Sequence, residues 1–238
     1  MSEAIGLDTH FSAIEPISLR ELVIGAIREA ILNGKLSPGE RIVESRLAKQ
    51  MKVGQSVVRE ALQELEFQGF VVRVANKGAF VTDFSLSDIN DIYRVRMELE
   101  GFAAQLAKES GKPTAEDVSQ MEAAIARMQQ GADECDFWKF SRSDFEFHEV
   151  IWRSSGNRYV ERALRAVATP QFSYVLIRSF HHTHLDLQAI TEQHRDILEN
   201  FKTAEPAACR RYLSALIDDF RRQIERSVTG EELLSPKM

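Results

Sequence analysis

Asp144 and His148 lie four positions apart in a stretch of helical period. That spacing puts a carboxylate and an imidazole on one helix face, where both can serve as ligands of one divalent metal ion. His194 sits centrally in a second helical stretch and could face them across a bundle. The plain alternative is a solvated i, i+4 pair and a half-buried, hydrogen-bonded histidine; spacing alone leaves both open. Arg96 and Glu100 repeat the i, i+4 spacing as an ion pair. His181, His182 and His184 read as polar loop residues, with a metal tract as the alternative. The cluster Phe137, Trp138, Phe140, Phe145, Phe147 and Trp152 reads as core or dimer packing, not as a cofactor box. No organic cofactor is expected.

The elements that must position these side chains are helices. From residue 88 onward the apolar residues recur at helical spacing, with no clear strands. Helices are expected at about 88–109, 115–130, 136–154, 158–178, 185–202 and 206–226. Ser87 is placed as the first cap, and Pro170 as a kink or a split in the fourth. Short connections between six helices make an antiparallel bundle. Asn157 reads as a helix-terminal turn residue.

The chain before this bundle has a different pattern. Ser18 and Glu21 form a capping box for a helix through Asn33, with Leu22, Ile24, Ala26, Ile27, Ala30 and Ile31 on its apolar side. Two short helices follow, at about 44–51 and 55–68. Leu47, Ala48 and Met51 mark the first; Val58, Ala61, Leu62, Leu65 and Phe67 mark the second. Gly54 is placed in the tight turn between them as the residue that relieves steric limits. Two β-rich runs, 70–74 and 79–82, flank a hairpin turn at Ala75-Asn76-Lys77-Gly78. Helix, turn, helix and hairpin make a winged helix-turn-helix, whose second helix enters a DNA major groove. Gln55 and Ser56 at the start of that helix are placed to reach base edges. Arg59, one turn on, meets a base or a phosphate, or else pairs with an acid in the same domain. Arg46, Asn76, Lys77 and Gly78 are candidates for phosphate or minor-groove contacts.

The string Leu36-Ser-Pro-Gly-Glu-Arg41, with Leu47-Ala48, Val58-Arg59-Glu60-Ala61-Leu62, Leu65-Glu66, Gly69-Phe70-Val71 and Gly78-Ala-Phe-Val81, resembles the GntR family of bacterial transcription regulators. Where the family usually carries an arginine and a proline at the start of the recognition helix, this chain has Gln55 and Val57. Arginine pairs best with guanine and glutamine with adenine, so the operator sequence is expected to differ. The second part is similar to the FCD domain of the FadR subfamily. Tyr93-Arg94-Val95-Arg96-Met97-Glu98-Leu99-Glu100, Asp144 with Phe147-His148, Gly156-Asn157-Arg158-Tyr159 and Gln193-His194-Arg195-Asp196-Ile197-Leu198 carry that resemblance. It implies a divalent metal (Zn, Ni, Mn or Fe) held by Asp144, His148 and His194. It also implies a fourth histidine near Leu216, where none occurs. Water, a ligand carboxylate or His184 would then fill that place, or the metal site has been lost. In the family, the arginine at the position of Arg96 can hold an effector carboxylate. The alternative here is an ion pair. Asn157 is a further candidate near the effector.

Charge divides with these patterns. The chain carries a net charge of −6, yet residues 17–82 hold ten Lys/Arg against seven Asp/Glu. The part assigned to DNA is therefore the only basic part. Cys135 and Cys209 stand outside any C-x-x-C pair and fit a reducing compartment. No apolar run approaches the roughly 20 residues a membrane helix needs. No secretory signal is visible, and a cytoplasmic protein is expected. The expected organisation is an arm (1–16), a winged helix (17–82), a linker (83–87), a helical ligand-binding and dimerisation domain (88–228) and a tail (229–238). The resulting expectation is mainly α: a homodimeric regulator that binds a double-stranded DNA operator, a repressor released by a small organic acid. Two alternatives stand beside it. One is a metal-dependent enzyme using two histidines and one carboxylate. The other is a metal-free sensor or dimerisation module.

Overall fold

The computed structural model describes residues 18–181 and 185–229. The expected arm, His182, His184, the side chain of His181 and the tail beyond Thr229 lie outside them. The elements are α1 (Leu19–Leu32), β1 (Arg41–Ile42), α2 (Glu44–Met51), α3 (Gln55–Phe67), β2 (Val71–Val74), β3 (Gly78–Val81), α4 (Leu86–Glu109), α5 (Ala115–Asp133), α6 (Phe137–Ser154), α7 (Arg158–His181), α8 (Leu187–Thr203) and α9 (Pro206–Thr229).

Local chemistry sets the helix starts. The Ser18 hydroxyl accepts the Glu21 amide, and the Glu21 carboxylate accepts the Ser18 amide, so two otherwise unpaired donors are satisfied. The same reciprocal box starts α4, but from Ser85 to Asp88. Ser87 is therefore not the cap, and the helix begins inside the expected linker. Thr114 with Asp117 starts α5 in the same way.

The turn between α2 and α3 also differs from expectation. Gly54 is ordinary extended backbone at φ −65°, whereas Lys52 takes the left-handed conformation at φ 55°. Its amide and the Val53 amide both bond the Ala48 carbonyl, which closes the helix end. Three residues expected on apolar faces turn to solvent instead of the core: Leu22 is 55 % exposed, Phe67 is 75 % exposed, and Ala26 is exposed as well. On α1 the buried stripe is Val23, Ile24, Ile27 and Ile31, and Leu22 falls just outside it. Phe67 sits two residues past the buried Leu65, about 200° around the helix.

The wing is a three-stranded antiparallel sheet in the order β1-β3-β2. β1, too short to show in the pattern, adds Arg41 and Ile42 opposite Phe80 and Ala79. In the hairpin, Val74 pairs with Gly78, and Asn76 turns the chain at φ 61°.

Helices α4 to α9 form the second layer, with α4 along α9 and α5 along α6 and α8. α7 runs unbroken past Pro170, so that residue does not split it. α7 also belongs to both cores. Leu164, Ala168 and Phe172 pack inside the bundle, while Leu176 and Ile177 join the core of the winged helix. Trp138 of α6 completes the seam, 5.5 Å from the Phe70 ring and with the Arg28 guanidinium 4.2 Å over it.

At that seam Gly69 follows α3 at φ +79°, and a Cβ there would lie 2.6 Å from the Thr169 carbonyl oxygen. Gly111 has a similar φ of +75° with open space around it. Gly111→Ala is therefore expected to lose only the conformational term, about 1 kcal/mol. Gly69→Ala should lose about 2–4 kcal/mol, because backbone must also move. Urea unfolding of the two variants checks this; equal losses would contradict the packing.

Candidate functional site

Helix α6 presents Asp144 and His148 to the bundle interior, and α8 presents His194 opposite them. Their ligand atoms all lie within 4.8 Å of one another. Each imidazole is oriented from behind. The His194 Nδ1–H donates to the Ile190 carbonyl at 2.8 Å, which turns Nε2 toward Asp144 Oδ1 at 2.9 Å. His148 Nδ1 lies 2.6 Å from Glu100 Oε2, and its Nε2 faces the same Asp144 oxygen at 3.5 Å. Such outer partners fix the tautomer of a metal-ligating histidine.

This donor set fits a divalent ion. With its Nδ1 proton given to Ile190, His194 can hold the Asp144 contact in only two ways. Either Nε2 carries a second proton, or a cation replaces that proton between them. Without a metal, burial disfavours the imidazolium, but the Asp144 charge outweighs it and the His194 pKa is raised. Burial likewise works against the Asp144 carboxylate, and the His194 charge prevails, lowering its pKa.

Behind His148 lies a buried relay. Glu100, fully enclosed, accepts Arg96 Nε at 2.7 Å and Nη2 at 2.5 Å. Arg96 also donates to the Gln171 side-chain oxygen on α7, and Gln171 Nε2 donates to the Tyr93 hydroxyl at 2.6 Å. The Arg96 guanidinium stacks 4.6 Å over the Phe172 ring. Burial would raise the Glu100 carboxyl, but Arg96 and His148 overcome it and bring it down to about 2. The Arg96–Glu100 spacing is readable in the sequence. The Glu100–His148 contact spans 48 positions and, like the contribution of Gln171, has no local signal beyond a glutamate within a buried helical stripe.

Tyr93, Arg96, Asp144, His148, Gln171 and His194 line part of a cavity of about 80 Å³, with Glu100 behind them. The cavity's other walls are mostly apolar: Ile190 and Ile197 of α8, with Leu213, Leu216, Ile217 and Phe220 of α9, and Ser141 and Gln193 as the polar exceptions. Leu216, at the place where the family resemblance implies a fourth histidine, is part of that wall. Asn157, a candidate for the effector site, is not in the lining. Its side chain accepts the amides of Tyr159 and Val160 and caps α7. His184 lies outside the described residues.

On the other layer, Arg46, Gln55, Ser56 and Arg59 are exposed, as are Asn76, Lys77 and Gly78 at the wing tip. Gly54 caps α3 without a side-chain bond, a helix start suited to a phosphate. Arg59 does pair with an acid: its Nε is 3.1 Å from Glu44 of α2, which also lies 3.5 Å from Gln55 Nε2. The Arg59 side chain remains 55 % exposed, so that pair can be exchanged for another acceptor.

Glu100→Gln would leave Arg96 buried without its counter-charge. Its expected loss is about 3–5 kcal/mol in denaturant unfolding at neutral pH. Glu100 has a folded pKa of about 2, below its ordinary 4.5. Its contribution is therefore complete above pH 4.5 and is lost as the pH falls toward 2. The variant should lack that part of the acid slope; an unchanged slope would show that Glu100 is not held as a paired carboxylate.

Comparison with known proteins follows the two layers. Residues 19–81 match the model for bacterial regulatory proteins of the gntR family, and residues 91–219 match the FCD domain. The chain is 27 % identical over 191 residues to the uncharacterized HTH-type transcriptional regulator YdhC of Bacillus subtilis, covering 79 % of this chain and 83 % of that one. It is 26 % identical over 213 residues to the gluconate operon transcriptional repressor of the same organism, covering 88 % and 86 %. Among solved structures, E. coli McbR/YncC shares the fold at a TM-score of 0.67 and 21 % identity, over 91 % of this chain and 100 % of that one. With a gntR-type winged helix joined to an FCD domain that spans more than half of its length, the chain belongs to the GntR family of ligand-responsive DNA-binding transcription regulators, in the FCD (FadR-like) branch.

Proposed function

We propose that the protein is a homodimeric repressor. Residues 17–82 hold a double-stranded operator, and a small organic acid at a metal in residues 88–228 releases it. Asp144, His148 and His194 hold the ion, a Zn, Ni, Mn or Fe cation. The ion supplies a Lewis-acidic position for a carboxylate, and Arg96 sets the shape of the wall beside it. Gln55, Ser56 and Arg59 face base edges, while Arg46, Asn76, Lys77 and Gly78 face the backbone or minor groove.

The observation that carries this reading is the double use of α7. Gln171, Phe172 and Val175 line the cavity. On the other side, Ser173 Oγ donates to the Gln68 carbonyl at 2.5 Å, and Thr169 and Pro170 press on Gly69. Gln68 and Gly69 end the DNA-reading helix. A ligand that favours one position of α7 therefore biases the seat of α3, and operator binding must bias the ligand equally. We read the chain as a regulator and not an enzyme. Arg96, Glu100, Gln171 and Tyr93 are bonded to one another and are used in holding the cavity wall. No helix among the described residues is long and apolar enough to cross a membrane.

Selection of bound duplexes from a random pool, with and without metal and pooled organic acids, tests the assignment. A recovered pseudo-palindrome whose binding weakens with acid supports it; no sequence preference under any condition contradicts it. On the selected site, Arg59→Ala should lose about 1–3 kcal/mol. If the loss is equal on every duplex, Arg59 contacts only the backbone.

Ser173→Ala removes the tie to Gln68 without touching the cavity lining. It should keep acid binding within about twofold while reducing the acid's effect on operator affinity. Calorimetry and gel shift on the same preparation read the two quantities; an undiminished effect would exclude this tie as the coupling.

A further inference from the structure

The geometry points to a ligand class for the cavity: a monocarboxylate of about three to six carbons with an unsubstituted aliphatic tail. This rests on the metal-bound reading above.

Charge selects a single carboxylate. Arg96 and Glu100 are buried side by side and neutralise each other. The remaining charge at the donors is that of Asp144, since ligating imidazoles are neutral. A divalent ion therefore leaves the site one unit positive, and one anionic group balances it. Among the described lining residues Arg96 is the only Lys or Arg. A second carboxylate would be buried with no cation to meet it.

Polarity selects the tail. Away from the donors, the wall on the α8 and α9 side is Ile190, Leu213, Leu216, Ile217 and Phe220. Ser141 and Gln193 are the polar lining residues outside the donors and the buried relay. The several hydroxyls of a sugar acid would outnumber these partners. Each buried hydroxyl left without a partner weakens binding roughly tenfold.

Volume sets the length. At about 10–15 Å³ of such space per water-sized group, the cavity's 80 Å³ takes on the order of five to eight non-hydrogen atoms. Propanoate has five and hexanoate eight.

The test is calorimetric titration of the zinc-loaded, full-length protein with the straight-chain acids from propanoate to decanoate, and with glutarate, gluconate and pentanol. Pentanoate is expected to bind at least tenfold tighter than glutarate, gluconate or pentanol, with affinity falling beyond hexanoate. Leu216→Ala should move the preferred chain one or two carbons longer at unchanged zinc content. Equal binding of gluconate or glutarate, or a length preference that Leu216→Ala does not move, overturns the ligand class. Zinc content measured on the double variant His148→Ala, His194→Ala separates the two levels. If it falls while the acids show no selectivity, only the ligand class fails. If it does not fall, the metal reading fails and takes the ligand class with it.

Discussion

A charge cannot be left alone inside a bundle, and the arrangement of this one follows from that constraint. Glu100 is fully enclosed among α4, α6 and α7. It is tolerated because Arg96 and His148 meet both of its oxygens. Arg96 is in turn held by Gln171, and Gln171 by Tyr93. Three helices are thus fixed in register by one chain of polar contacts, each with its partner supplied. Replacing such a network by apolar side chains is often neutral for stability. Its retention here is accounted for by the orientation it imposes on the His148 ring.

The relay passes through Gln171 of α7, and that helix serves two masters. Its inner side is cavity wall and its outer side is the seat of the winged helix. In the proposed mechanism small displacements are passed on, because packed seams shift between discrete arrangements instead of deforming smoothly. Gly69 makes the seam close. Without a side chain, the end of α3 rests directly on the backbone at Thr169 and Pro170. Arg28 stacked on Trp138 holds the flank of the same seam.

What the sequence disclosed was whatever is encoded locally. The capping box at Ser18, the two helices of the reading head and the hairpin depend on residues a few positions apart. So does the shared face of Asp144 and His148. The local pattern is ambiguous where two local solutions compete. Ser85 and Ser87 are both plausible caps, and Asp88 settles the choice by reciprocating with Ser85. Gly54 looked like the strained residue because glycine is the usual occupant, yet Lys52 bears the positive φ. Leu22 and Phe67 belong to runs where a neighbouring residue makes the better stripe. The contacts that give the cavity its character were illegible for another reason. Glu100 with His148, Arg96 with Gln171 and Ser173 with Gln68 join positions 48, 75 and 105 apart, and only packing brings them together.

In the proposed mechanism, cavity and reading head share α7 as one mechanical element. Amide hydrogen exchange of the full-length protein, with and without zinc, measures it most directly. The account predicts altered exchange over residues 169–177 and, in the same titration, over residues 65–70, with the wing tip at 75–78 unchanged. Changes confined to α6 and α8, with α7 and the end of α3 exchanging as before, would contradict it.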